Sequence, residues 1–189
     1  MLSELIIIFI CLSFTHVVID KRRGKHVFDL VTVGHFAIEY IHSPTIDSSK
    51  PTLGGPPTYV SVAAAKLVAS VSVISKVGED FSNTYVTWLK NNKIDLSGLK
   101  RVKGASTTRF VIKYQRGWKR KLQLKARAPK ISANDLPYCL QARAVHVAPI
   151  ANELSEELVT RLRKAARVLS LDPQGFVRGF DRRGNVRLK

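Results

Sequence analysis

The sequence predicts an α/β domain built on a mostly parallel sheet. Two observations carry this: short apolar runs read as core strands, and segments of helical periodicity alternate with them, so that successive strands join by right-handed crossovers. With 45% hydrophobic and 24% charged residues the chain is globular, and 189 residues suffice for one domain with its own core.

In order, His26 to Gly34 reads as a buried first strand ending in a glycine turn. Ala37 to His42 reads as a short second strand, broken by Pro44. Ile46 to Pro51 is a polar loop leading into Gly54-Gly55-Pro56-Pro57. A helix from about Thr58 to Ala69 follows, with Ala63, Ala64 and Leu67 on one side. Val71 to Ser75 is a second core strand. Asp80 or Ser82 can cap the next helix, where Tyr85, Trp88 and Leu89 form the inward face and Asn91-Asn92 end it. Asp80 lies in Val77-Gly78-Glu79-Asp80 directly after that strand, a place that suits a cap. Thr107 to Tyr114 and Lys121 to Ala126 alternate as a hairpin about Arg116-Gly117-Trp118, with one apolar face. Ala144 to Ala148 is another strand. Ser155 opens a helix to about Val168, with Glu156 and Glu157 at its positive end, basic residues at its last turn and a buried stripe of Leu154, Leu158, Leu162, Ala165 and Leu169. Leu169 to Pro173 is a strand edge entering a loop, and Gly179 to Lys189 is polar and basic with no helix pattern.

The net charge is +17, and residues 100–130 hold twelve Lys or Arg and no Asp or Glu. Such a stretch attracts phosphates, yet only Tyr114 and Trp118 interleave with it, which argues against nucleic acid as partner. Cys11 and Cys139 stand far apart without metal-ligand spacing, and the five histidines share no spacing, so no metal site is expected. A reduced, cytoplasmic chain is the simplest reading. Residues 1–25 form an apolar extension: Leu5 to Leu12 falls short of a bilayer span, Glu4 precedes it, and Lys21-Arg22-Arg23 follows. A dispensable or non-native extension is the expectation, with a membrane role only if that segment acts as an uncleaved anchor.

The most informative stretch is Gly54 to Leu67. A double glycine lets main chain approach a ligand closely, prolines stiffen the turn, and a small-residue helix follows with its amides facing the loop. These residues, with Val33-Gly34-His35-Phe36-Ala37-Ile38-Glu39 and Lys76 to Asp80, resemble the PfkB (ribokinase-like) carbohydrate kinases over roughly Val27 to Arg178. The resemblance implies a three-layer ribokinase-like sandwich over 26–189, C-terminally incomplete, with a small β-lid formed by about 37–42 and 107–126. It implies that Glu39, standing where the family usually has Asp, binds acceptor hydroxyls, and that the Gly54 and Gly55 main chain faces the acceptor. Tyr59 occupies a position where many of the sugar kinases carry Asn, which opens the acceptor to a sugar, polyol or nucleoside, and Asn152 and Glu153, after the Ala144–Ala148 strand, are further candidate contacts.

The family's glycine-rich turn with its catalytic Asp has no counterpart after Asp172. The catalytic base and most residues for ATP and Mg²⁺, the cofactors the resemblance implies, are therefore expected beyond Lys189. The expectation is a fragmentary or frameshifted gene whose product is inactive alone and prone to associate, including as a homodimer. A non-catalytic sugar- or nucleoside-binding protein is the alternative, and a basic nucleic-acid-binding protein a weaker one.

Overall fold

A computed structural model describes residues 28–44, 50–115, 119–138 and 140–189. The N-terminal extension, both cysteines, most of the 46–51 loop and the hairpin tip at 116–118 lie outside them.

Five parallel strands form the central sheet in the order β5-β4-β1-β8-β9: β1 (Phe28–Val33), β4 (Val71–Gly78), β5 (Ile94–Val102), β8 (Ala142–Val147) and β9 (Ala166–Leu171). Alternation along β1 distributes its side chains between two helical layers. Leu30 meets helix α1 (Pro56–Lys66) through Val71, Ala144 and Ala64. Val31 and Val33 meet helix α3 (Glu156–Ala165) through Leu158 and Leu162. Helix α2 (Asn83–Asn91) joins the α1 side by packing Leu89 on Val73, Val77 and Phe81. The expected three-layer α/β sandwich follows, its strands apolar because helices cover both faces.

A second sheet, in the order β3-β2-β6-β7, forms the lid from β2 (Ala37–His42), β3 (Thr52–Gly54), β6 (Thr108–Tyr114) and β7 (Arg120–Ala126). Its β2–β6 pair is parallel and the others antiparallel. After β9 come a single helical turn, α4 (Gln174–Val177), and the antiparallel hairpin of β10 (Arg178–Phe180) and β11 (Val186–Leu188). Phe180 and Val186 cover the apolar face of the lid at Phe110, Ile112 and Leu122. The hairpin turn also grips β7 directly, where the Leu124 amide donates to the Gly184 carbonyl at 2.8 Å.

Several local expectations are corrected. Helix α1 starts at Pro56, because prolines suit the first helical positions where an N–H has no partner. Its buried face is Thr58 and Ser61, since Ser61 hydrogen-bonds Thr32 of β1 at 2.8 Å, and Ala63 and Leu67 turn to solvent. In α2 Trp88 is exposed, and Tyr85, Val86 and Leu89 face inward. Ser82 caps α2 by accepting from Thr84 N–H, while Asp80 accepts from the Thr107 amide and hydroxyl and pairs with Arg109, bracing the base of the lid. Helix α3 stops at Ala165, and Val168 and Leu169 already belong to β9, where the β-branched and leucine run pairs with β8. Strands β3, β5 and the β10–β11 hairpin carry no strand pattern in the sequence, because all three are short or polar edge elements. No helix among the described residues is long and apolar enough to cross a membrane.

Candidate acceptor site

At β1 the strand order reverses, with β4 and β5 to one side and β8 and β9 to the other. Such a switch point leaves a crevice beyond the carboxyl ends of the strands, where ligands of open α/β sheets bind. Three chain segments converge there: the turn after β1, the diglycine turn before α1 and the turn after β8.

Glu39 is the centre of this region. Its Oε1 accepts from the Gly55 amide at 3.2 Å and its Oε2 from the Tyr59 hydroxyl at 3.2 Å. Gly55 sits at the N-cap of α1, so the positive end of that helix faces the carboxylate. Burial pushes the Glu39 carboxyl above the usual glutamate range, against the pull of the Gly55 amide, the Tyr59 hydroxyl and the charges of Arg120 and Arg178. Burial and the Glu39 carboxylate push the Tyr59 phenol up to about 12, so it stays a donor at neutral pH. Each carboxylate oxygen retains lone-pair capacity for a hydroxyl of a bound molecule.

The two glycines are dictated by this geometry. A Cβ on Gly54 would lie 2.1 Å from the Glu39 Cδ, in the space the carboxylate occupies. Gly55 has φ 86° and a Cβ there would lie 2.5 Å from the His35 carbonyl oxygen, which excludes other residues on both counts. Thr58 closes the turn by donating from Oγ1 to the Gly54 carbonyl at 2.7 Å.

Two buried polar residues fix the turns below Glu39. Glu153 is fully buried and accepts three main-chain amides: His35 N–H at 3.0 Å, Ile150 N–H at 3.0 Å and Ala151 N–H at 2.7 Å. It thereby clamps the turn after β1 to the turn after β8. His35, also fully buried, lies within 3.1 Å of the Pro129 carbonyl through Nε2 and within 2.8 Å of Thr108 Oγ1 through Nδ1. A carbonyl only accepts, so Nε2 carries the proton and the Thr108 hydroxyl donates to Nδ1. Burial pushes the imidazole below its usual value, which keeps it neutral and ties both ends of the β6–β7 hairpin to the sheet.

Asn152, at φ 57°, donates from Nδ2 to the Arg178 carbonyl at 3.0 Å and accepts from Lys189 Nζ at 3.1 Å. Its amide is thus spent on the β10–β11 hairpin and on holding Arg178. Arg178 is buried, donates to the Ile150 carbonyl at 3.1 Å and lies over the Phe110 ring with Cζ 5.8 Å from its centroid. Of the residues singled out from sequence, Glu39, Gly54, Gly55 and Tyr59 come together, Asn152 reaches the group through Arg178, and Glu153 is instead buried with its carboxylate committed to the His35, Ile150 and Ala151 amides. Sequence reasoning missed His35, Thr108 and Arg178 as members of the region. A histidine directly after a strand-ending glycine was the one signal available. No group of three or more His, Cys, Asp or Glu among the described residues could hold a metal ion.

Comparison with known proteins agrees with this architecture. Residues 27–177 match the model of the pfkB family carbohydrate kinases. A cytidine kinase of Thermococcus kodakarensis is 27% identical over 149 residues, covering 78% of this chain and 52% of that protein. A 5-dehydro-2-deoxygluconokinase of Clostridium perfringens is 34% identical over 90 residues, covering 44% of this chain and 27% of that protein. The chain therefore spans between about a quarter and a half of the length of these relatives. Among solved structures, a pyrophosphate-dependent kinase in the ribokinase family, complexed with a pyrophosphate analog and myo-inositol, superposes with a TM-score of 0.71 at 22% identity, covering 85% of this chain and 54% of the other. The match over residues 27–177, together with the parallel sheet, the lid and the diglycine turn against Glu39, shows that the chain belongs to the pfkB family of carbohydrate kinases.

Proposed function

We propose that these residues form the acceptor half of a kinase site that phosphorylates a hydroxyl of a sugar, polyol or nucleoside. The observation that carries it is the Glu39 carboxylate, held by the Gly55 amide and the Tyr59 hydroxyl on the inner face of the lid with lone pairs left for acceptor hydroxyls. Gly54 and Gly55 bring main chain against the acceptor, Asn152 acts by positioning Arg178, and the lid excludes water. Relatives named for a gluconate, a nucleoside and an inositol fit a site that reads hydroxyls.

ATP is the donor by family resemblance, and bound nucleotide with Mg²⁺ would supply the phosphoryl group. The residues described here are read as the acceptor side of that site, and those that would hold the nucleotide and Mg²⁺ are not assigned among them. No transfer step is therefore assigned to them. The 189-residue chain is expected to bind acceptors without phosphorylating them, in a cytoplasmic setting, and to self-associate.

Calorimetry with myo-inositol, cytidine and D-gluconate, with and without ATP, tests this, alongside a phosphate-transfer assay. Expected is acceptor binding that weakens at least about tenfold in Glu39→Gln, as loss of a hydrogen-bonded charge would give, with no transfer. Absence of binding across the panel, or Glu39→Gln binding as tightly as wild type, would refute the acceptor assignment. Transfer by the chain itself would refute its inactivity.

A further inference from the structure

The β10–β11 hairpin spans from the central sheet to the outer strand of the lid. Its base is fixed to the turn after β8. There Asn152 donates to the Arg178 carbonyl at 3.0 Å and accepts from Lys189 Nζ at 3.1 Å, and Arg178 donates to the Ile150 carbonyl at 3.1 Å. Its tip is fixed to β7, the last strand of the lid sheet, whose outward main-chain groups would otherwise face solvent. The Leu124 amide donates to the Gly184 carbonyl at 2.8 Å, Gln123 Nε2 donates to the Arg183 carbonyl at 2.7 Å, and Gln123 forms an antiparallel bridge with Asn185. The fit is close enough that a Cβ on Gly184 would overlap the Leu124 carbonyl oxygen. The turn is built before it meets the lid: the Asp181 carboxylate accepts from the Arg183 amide at 2.9 Å and the Asn185 amide at 2.8 Å.

Between base and tip, Phe180 and Val186 face each other across the hairpin and pack on Phe110, Ile112 and Leu122. Glu39, Phe110 and Leu124 form one row across β2, β6 and β7, and Ile41, Ile112 and Leu122 form the next. The hairpin therefore grips the row that carries Glu39 and the row beyond it. Arg127, directly after β7, lies over the Phe180 ring with Cζ 5.0 Å from its centroid. His35 and Asp80 hold the lid at the start of β6, through Thr107, Thr108 and Arg109. Ties on one strand leave a sheet free to rock about it, whereas a hold on its far edge fixes the tilt. Glu39 restrains that tilt only weakly, because its bonds to Gly55 and Tyr59, at 3.2 Å each, are long for bonds to a carboxylate.

We propose that the β10–β11 hairpin is a strap that holds the lid, and with it Glu39, against the diglycine turn, with Phe180 and Gly184 as positioning residues for the acceptor. This rests on the acceptor reading of Glu39 above. Loss of the strap lowers the fraction of molecules in which Glu39, Gly55 and Tyr59 stand together, and apparent affinity falls with that fraction.

Calorimetry and amide hydrogen exchange on the 189-residue chain test it, with myo-inositol, cytidine and D-gluconate as probes. Phe180→Ala and Gly184→Ala should each weaken the probes that bind wild type by at least about tenfold, as a fall of the closed fraction to about a tenth would. Amides of β6 and β7 should exchange at least about tenfold faster, while those of β1, β4 and β8 keep their wild-type rates. Phe180→Leu should recover most of the affinity. Facing residues of an antiparallel bridge suit a disulfide, so Gln123→Cys/Asn185→Cys, placed with Phe180→Ala in a Cys11→Ser/Cys139→Ser background, should restore affinity and lid protection when oxidised and lose both on reduction. Unchanged lid exchange in Phe180→Ala and Gly184→Ala overturns the strap, and so does equal acceleration in β1, β4 and β8, which would make the hairpin a general support. Faster lid exchange with unchanged affinity overturns the positioning role, and a rise in affinity would make the hairpin a plug instead. If no probe binds wild type, the acceptor reading fails, and lid exchange with its recovery on oxidation decides the strap by itself.

Discussion

Glu153→Gln isolates the clamp beneath the candidate acceptor site. In the wild type, Oε1 accepts from His35 and Ile150 and Oε2 from Ile150 and Ala151, so every contact to the carboxylate is a main-chain donor. Glutamine is nearly isosteric but has one acceptor and one NH₂ group. With its NH₂ at the Oε1 position it opposes the His35 amide; with it at the Oε2 position it opposes the Ala151 amide. Either orientation orphans at least one buried N–H, at about 1–3 kcal/mol, and converts the remaining charge-assisted bonds to neutral ones. Relief from burying a charge offsets part of this, which leaves a net loss of roughly 3 kcal/mol. Since 1 kcal/mol shifts Tm by about 2–4 °C in a domain of 150–250 residues, the variant should melt about 6–12 °C lower. Urea unfolding should show a lower midpoint with an unchanged slope. Acceptor binding should weaken as well, because the same clamp seats His35, whose carbonyl bounds Gly55. A Glu153→Gln variant within about 0.5 kcal/mol of wild type would refute the clamp as a determinant of stability.

Gly54→Ala places a Cβ where the Glu39 carboxyl group sits; it should cost about 1–3 kcal/mol in stability by overpacking and weaken acceptor binding at least about tenfold, and wild-type affinity by calorimetry would contradict the contact. Asp135 is buried; burial raises its pKa, but hydrogen bonds from Lys76, Ser132 and Lys100 outweigh that and lower it from 3.8 to about 2. Its folded-state value is depressed, so its contribution of about 2 kcal/mol is present above 3.8 and lost as pH falls toward about 2. Thermal unfolding should show Asp135→Asn less stable than wild type at pH 7 and the two converging near pH 2, whereas a constant gap across that window would remove the assignment.

Much of the fold was legible because burial on both faces of a parallel sheet leaves runs dominated by apolar residues, as in Phe28–Val33 and Val71–Gly78. The diglycine loop was legible too, since few residue pairs tolerate so close an approach of main chain. Edge elements were not. Ile94–Val102 interleaves Asp95, Ser97, Lys100 and Arg101 with apolar residues, because an edge strand has solvent on one side, and its pattern fades into that of a loop. Trp88 misled because helical periodicity gives a face its width but not its outer limit. Asp80 misled because a carboxylate before a helix serves equally well as a cap or, when a distant strand arrives, as a brace.

From sequence alone came the α/β class, the place of the lid, and the singling out of Glu39 and the Gly54-Gly55 turn. Tertiary structure alone brought His35 against Thr108 and Pro129, closed Glu153 over three amides, and laid the β10–β11 hairpin on the lid. The division has a physical cause. Periodicity and glycine requirements are local, so they are written along the chain, whereas the partners of a buried charge come from turns up to 118 residues apart and meet only once the sheet has assembled.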